Sequence, residues 1–182
     1  MESGLHFQKA KDVFEAFEDI EEDIEARPAE QTSIQFFAEL SKSATPEEAV
    51  TFGAYLLPKR RAVWWGHECV RSVMHLLTDQ DLMMLQLAEA WVRDPDEEQR
   101  VAALRGALSR KHKSPGVWIA LAAAWSGGSL NLPELPPVPP PQYLTARAVN
   151  AGILSGLARV DVKHRADTLR VFVEMGLSLA SR

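Results

Sequence analysis

Pro46, Pro58, Pro95 and Pro115 each stand at the start of a stretch whose apolar residues recur at three- and four-residue steps, and this punctuation restricts the chain to helices joined by short turns. Proline has no amide to donate and a fixed φ. It breaks a helix from within but is tolerated in the first turn. Thr45-Pro46-Glu47-Glu48 reads as a capping box that opens a helix from Pro46 to about Leu57, and Thr78 with Asp81 as another that opens Asp79 to Arg93. Asp94-Pro95 with Glu97, and Ser114-Pro115, read as two more starts. Pro58 forces a sharp corner between the helix it ends and the helix it opens. No segment alternates apolar and polar with period two, and no long β-branched run stands between glycines. The expected fold is all-α: a compact array of about eight helices, in a single domain over residues 1–182, with a proline-rich strap between the sixth and seventh.

The apolar stripes place the individual helices. Phe7, Ala10, Val13, Phe14, Phe17, Ile20 and Ile24 mark an amphipathic helix over 7–26 whose other face is acidic, and Pro28 closes it. A brief helix follows Ser33, carrying Ile34, Phe36, Phe37 and Leu40. Asp79 to Arg93 is apolar except for a narrow strip of Gln86, Glu89 and Arg93, so it is expected to be central. Val117 to Trp125 is apolar all round and must be buried or lie under the following loop, with Gly127-Gly128 ending it. Residues 131–142, NLPELPPVPPPQ, hold six prolines and are expected to run extended, anchored by Leu132, Leu135 and Val138. Two last helices follow, 144–159 with Ala148, Gly152 and Gly156 on one line for close contact, and 161–180.

Composition excludes several functions. With 182 residues, a domain buries about 70% of the surface its unfolded chain exposes and needs no staple. The longest apolar run, Val117 to Trp125, is far below the roughly 20 residues of a membrane span. The first residues lack the basic start and apolar core of a secretory signal. Residues 1–30 carry ten acids against three bases, a net of −7 in a chain of net −5, so the remainder is only +2. That balance offers no basic footprint for nucleic acid. The single Cys69 rules out an internal disulfide, fits a reducing compartment, and falls on an apolar face as a small core residue. His67-Glu68 begins an HExxH pattern, but its last position is Arg71, and His67 and His75 lie two turns apart, too far to share a metal. No glycine-rich phosphate loop occurs. No catalytic residue, metal or cofactor is expected.

The most informative stretch for function is Pro58 to Leu77, read as one helix. Its apolar face carries Ala62, Gly66, Cys69, Val70, Val73, Leu76 and Leu77, with Trp65 at the border and expected to be buried. Its polar face carries Arg60, Trp64, His67, Arg71 and His75. A large aromatic among cations is the composition of a binding hot spot, so Arg60, Trp64, His67 and Arg71 are the candidate partner-binding residues. The competing reading packs the Trp64 indole beneath a neighbouring loop.

Two stretches, AYLLPKRRAVWWGHECVRSV at 54–73 and WSGGSLNLPELPPVPP at 125–140, resemble an uncharacterised family of small helical bacterial proteins associated with type VI secretion loci, near spike-tip and effector genes. PEEAVTFGAYLLP and LTARAVNAGI agree with the same pattern, from about Phe36 through the last helix, whereas the acidic first helix is less typical. The resemblance implies a cytoplasmic, non-enzymatic adaptor or chaperone-like protein whose partner is a secretion effector or spike component. An immunity protein that neutralises a basic toxin through the acidic helix is the alternative, and an enzyme with an unfamiliar site is a distant third. Membrane and nucleic acid are not expected partners.

Overall fold

The computed structural model describes residues 6–182, and among these the chain forms ten α-helices and no strand. They are α1 (Ala10–Ala16), α2 (Ile20–Asp23), α3 (Ser33–Leu40), α4 (Glu47–Leu56), α5 (Lys59–Ser72), α6 (Asp79–Arg93), α7 (Glu97–Leu108), α8 (Pro115–Ala124), α9 (Leu144–Ala158) and α10 (Val162–Ala180). An isolated bridge between Lys9 and Thr32 is the sole β-type pairing described. The all-helical expectation holds, with ten helices in place of about eight.

Part of the difference comes from the acidic N-terminal stretch, where one expected helix over 7–26 becomes α1 and α2. Phe17 leaves helical geometry at φ −129° and ψ 83°. A continuous helix would set Glu15 against Asp19, Glu18 against Glu22 and Asp19 against Asp23 at four-residue spacing, and would crowd acids onto its negative end. The break instead puts Glu21, Glu22 and Asp23 in the first turn of α2, the favourable end. It also brings Asp23 to α4 and α9, where it accepts hydrogen bonds from the Tyr55 hydroxyl at 2.6 Å and from Arg147 Nε at 2.9 Å. Burial and the Asp23 carboxylate together push the Tyr55 phenol well above its usual range.

Pro58 to Leu77 is likewise interrupted. α5 ends at Ser72, Val73 leaves helical geometry, and Met74–Leu76 make a single 3-10 turn, so His75 does not continue the α5 polar face. The central helix is α8 rather than α6. Ile119 to Ala124 are fully buried, and α8 packs against α5, α6, α7 and α9, whereas α6 exposes Met83 at 53%. Four helices can approach α8 because four of its ten residues are Ala, and because Ile119 projects between Gly66 of α5 and Gly152 of α9, where a Cβ would collide with it. The close contact expected of the α9 glycines is therefore with α5 and α8.

The start signals are obeyed unevenly. Thr78 and Asp81 form the reciprocal box, the Asp81 amide donating to Thr78 Oγ1 at 3.2 Å and the Thr78 amide to Asp81 Oδ2 at 3.1 Å. The α7 cap is Asp96, which accepts from the Gln99 amide at 2.8 Å, in place of Asp94. α3 is capped by Thr32, and Ser33 is buried one position inside it. Glu48 takes the Thr45 hydroxyl and the Glu25 amide, so that pair ties the start of α4 to the segment after α2 instead of capping α4.

The proline-rich segment between α8 and α9 is held to the rest of the fold only in part, with Glu134 2.6 Å from Arg105 of α7. It closes on itself: the Leu130 amide donates to the Val138 carbonyl at 2.8 Å, and Ser129 Oγ accepts from the Asn131 and Val138 amides at 3.0 and 2.9 Å. Of the three expected anchors only Leu132 packs against the core, while Leu135 and Val138 are 57% and 44% exposed. Proline removes donors from such a loop, so the few amides left must find acceptors, and Ser129 supplies two of them. Ser129→Ala should lower the free energy of loop opening by about 1–2 kcal/mol and raise cleavage by a glutamate-specific protease at Glu134 roughly tenfold. Cleavage at the wild-type rate would show that these bonds do not hold the loop.

A candidate protein-binding groove

The corner at Pro58 sets up the site. Leu57 is extended at φ −74° and ψ 141°, and Pro58 then caps α5 without any side chain able to hold its orphan amides. The first three residues of α5 are Lys59, Arg60 and Arg61. A helix start carries a partial positive charge and favours acids, so three cations there oppose the helix dipole, each by about 0.3–1 kcal/mol. Such a violation of local preference is expected where a site needs positive charge.

These cations rim a groove of about 990 Å³. Its floor is aromatic and apolar, from Tyr55, Leu56 and Leu57 at the end of α4, Trp91 and Val92 at the end of α6, and Trp64 of α5, with Phe7 and Phe17 closing one side. Arg182 joins the basic rim, and no Asp or Glu side chain lines the groove among the described residues. In a chain of net charge −5, that is a local inversion of sign.

The cations are held in place. Arg60 donates from Nε to the Val92 carbonyl at 2.7 Å and from Nη2 to the Arg93 carbonyl at 3.2 Å, closing the negative end of α6 while its side chain stays exposed. Lys59 Nζ donates to the Ser126 carbonyl at 2.9 Å, and burial draws its ammonium below the usual lysine range.

Of the four candidate residues, Arg60 and Trp64 lie in the groove, and His67 and Arg71 do not. The sequence put His67 on the polar face of α5. In the structure it is 1% exposed beneath Trp64, whose ring stacks on it at 5.1 Å and 12°. Helix α6 covers it: Glu89 Oε2 is 3.8 Å from His67 Nε2, while Glu68 Oε1 lies 3.0 Å from Nδ1. A carboxylate accepts, so Nδ1 carries the proton. Burial holds the imidazole below its ordinary value against the pull of Glu68 and Glu89. His67 therefore orients the Trp64 ring from below. Arg71 is exposed about two turns beyond Trp64, outside the groove and 3.6 Å from Glu68. Trp64 is partly buried, stacked on His67 and lining the groove, and no residue of 131–142 lines that groove among the described residues. Lys59, Arg61, Trp91, Phe7, Phe17 and Tyr55 were not among the sequence candidates. The dipole-opposing run at 59–61 was the readable signal for the first two.

Cys69 is fully buried, and burial raises its thiol well above the usual range, as suits a core residue. No group of His, Cys, Asp and Glu among the described residues is arranged to hold a metal, and no described helix is long and apolar enough to cross a membrane.

Comparison with curated proteins and with solved structures found no match. A family of unknown function, DUF6931, matches residues 36–180, from the middle of α3 to the end of α10, leaving α1 and α2 outside, and the chain belongs to that family.

Proposed function

We propose that this chain is a non-enzymatic protein-interaction module whose groove takes an acidic segment with apolar anchors from a protein partner. The observation that carries this is the run Lys59-Arg60-Arg61 at the positive end of α5, beside an aromatic floor with no Asp or Glu side chain among the described residues that line it. The carbonyls that hold Lys59 and Arg60 leave their net positive charge at the groove rim, where an anionic partner is favoured while its apolar side chains cover Trp64. The resemblance of 54–73 and 125–140 to proteins of type VI secretion loci supports a cytoplasmic adaptor or chaperone-like role, with an effector or spike component as the partner.

A second reading has its own observation. Glu15, Glu18 and Glu21 are exposed on α1, the following turn and α2, outside the family match, so an immunity protein could present them to a basic toxin. The neighbouring gene separates the two, since a spike or spike-fused effector favours loading and a toxin without a delivery domain favours immunity.

The test is recovery of a partner from the native bacterium, identified by mass spectrometry, with Trp64→Ala, Arg182→Glu and Arg71→Ala compared against wild type. Both groove variants should lose the same partner by about tenfold or more, and Arg71→Ala should retain it. Unfolding curves taken in parallel must show Arg182→Glu as stable as wild type. Undiminished recovery by both groove variants would sink the groove reading, and loss confined to Arg71→Ala would move the site to the far part of α5.

A further inference from the structure

A second pocket, on other elements and independent of the groove, has different chemistry. It lies where the end of α7 meets the starts of α6 and α8, has a volume of about 360 Å³, and is lined by Arg110, Lys111, His112 and Arg159 with the hydroxyl-bearing Thr78 and Ser114. A volume of this size sits at the small end of ligand pockets, about 300–1,000 Å³. No carboxylate lines it among the described residues.

The ordinary account of basic residues after α7 is that they close its C-terminal carbonyls. The hydrogen bonds do not fit that account. The Arg110 side chain donates to no carbonyl, and its Nε is sealed from solvent with no acceptor, a condition that costs a guanidinium donor free energy. Lys111 and His112 have no described side-chain partner either. At the start of α8 the Gly116 amide is already taken by Asp81 at 2.9 Å. Beneath the pocket Asp81 also sits 3.2 Å from Arg159, which donates to the Leu76 carbonyl as well. Asp81 thus offsets Arg159, and the charge left over is that of Arg110 and Lys111, with His112 beside them.

We propose that this pocket binds the phosphate group of a small soluble phosphate ester. Two uncompensated cations match a dianion, whereas a carboxylate would leave one of them unanswered. The planar guanidinium of Arg110 suits two phosphate oxygens and the Lys111 ammonium a third.

The test is a titration of the isotope-labelled full chain, followed by amide chemical shifts, with inorganic phosphate and separately with glycerol phosphate. Saturable binding is expected with a Kd of about 1 mM or tighter for the ester, with shifts concentrated at residues 109–114 and at Thr78, Gln80 and Arg159. Arg110→Gln and Lys111→Gln should each weaken it by about fivefold or more, and Arg60→Gln in the groove should leave it unchanged. Lys111 is exposed, so its variant decides the matter even where Arg110→Gln perturbs the fold. Binding that does not saturate, shifts centred on residues 59–61, or equal affinity in the Lys111 variant would each overturn the proposal.

Discussion

Trp65→Ala should lower the unfolding free energy by about 3–5 kcal/mol, read as a shift in urea midpoint at constant m-value. In a domain whose total stability is typically about 5–15 kcal/mol, that is a large share. Trp65 is fully buried and joins three helices. Its Nε1 donates to the Phe172 carbonyl of α10 at 2.8 Å, and the Phe37 ring of α3 meets it edge-on at 6.0 Å. Gly53 of α4 and Gly176 of α10 leave room for the indole: a Cβ on either would come within 2.9 and 2.8 Å of it. Backbone this close on both sides cannot collapse into the space the indole leaves, so the cavity persists and the cost falls in the upper part of the range. Trp65→Phe should restore most of the packing and lose chiefly the hydrogen bond, about 1 kcal/mol. A loss below about 2 kcal/mol in Trp65→Ala would mean that α10 is not held through this side chain.

Burial of Trp65 was legible because one helical turn separates it from Cys69 and places both on the inner face of α5. Its partners were not. Gly53, Phe172 and Gly176 belong to helices before and after, and periodicity within a helix says nothing about which face meets which. The break between α1 and α2 was hidden for a related reason, since Phe17, Ile20 and Ile24 keep the apolar stripe going across it. Its cause lay on the other face, in acids spaced four apart. α6 and α8 both read as largely apolar, and the small side chains of Ala120 and Ala122–Ala124 decide that α8 takes the centre. The path of the proline-rich segment was not legible because proline content fixes φ without fixing direction. Ser129 turns the loop back on itself, a role that composition does not reveal.

The groove was half legible. A helical wheel finds Arg60 and Trp64, since they share the outer face of α5 with little covering them. The same wheel assigns His67 to that face, because it cannot see α6 bringing Glu89 across it. Trp91 read as core of a central helix, and it is core, but its buried ring also forms part of the groove floor. A groove assembled from the ends of α4, α5 and α6 is invisible to any pattern confined to one of them. What the residues did carry was the misplaced charge at 59–61.

Asp81→Ala should cost about 3 kcal/mol or more at neutral pH, and the deficit should shrink as the solution is acidified. Asp81 is fully buried, and its carboxylate does far more than complete the box with Thr78. It accepts from the Thr78 amide at 3.1 Å, the Thr78 hydroxyl at 2.9 Å and the Gly116 amide at 2.9 Å, and pairs with Arg159 at 3.2 Å. The two helix starts are locked together here, since a Cβ at Gly116 would lie 2.7 Å from the Asp81 Cα. Removing the carboxylate orphans two amides in a contact with no room for water, each at about 1–3 kcal/mol. Arg159 adds less, because its side chain is 33% exposed and can rehydrate. The pH dependence follows from the same contacts. Burial alone would raise the Asp81 pKa, but hydrogen bonds from Ser114, Gly116 and Thr78 outweigh it and hold the carboxyl below its ordinary 3.8. A depressed carboxylate contributes stability that is full above its unfolded pKa and lost as pH falls through the folded one. Wild type should therefore lose its lead over Asp81→Ala progressively below about pH 4, as measured by urea unfolding from pH 7 downward. Asp81→Asn is the sharper probe. Its amide nitrogen must face a donor, either Gly116 or Thr78, so near-isosteric shape does not rescue it. A constant deficit across that range would show that the carboxylate's charge contributes nothing to the junction of α6 and α8.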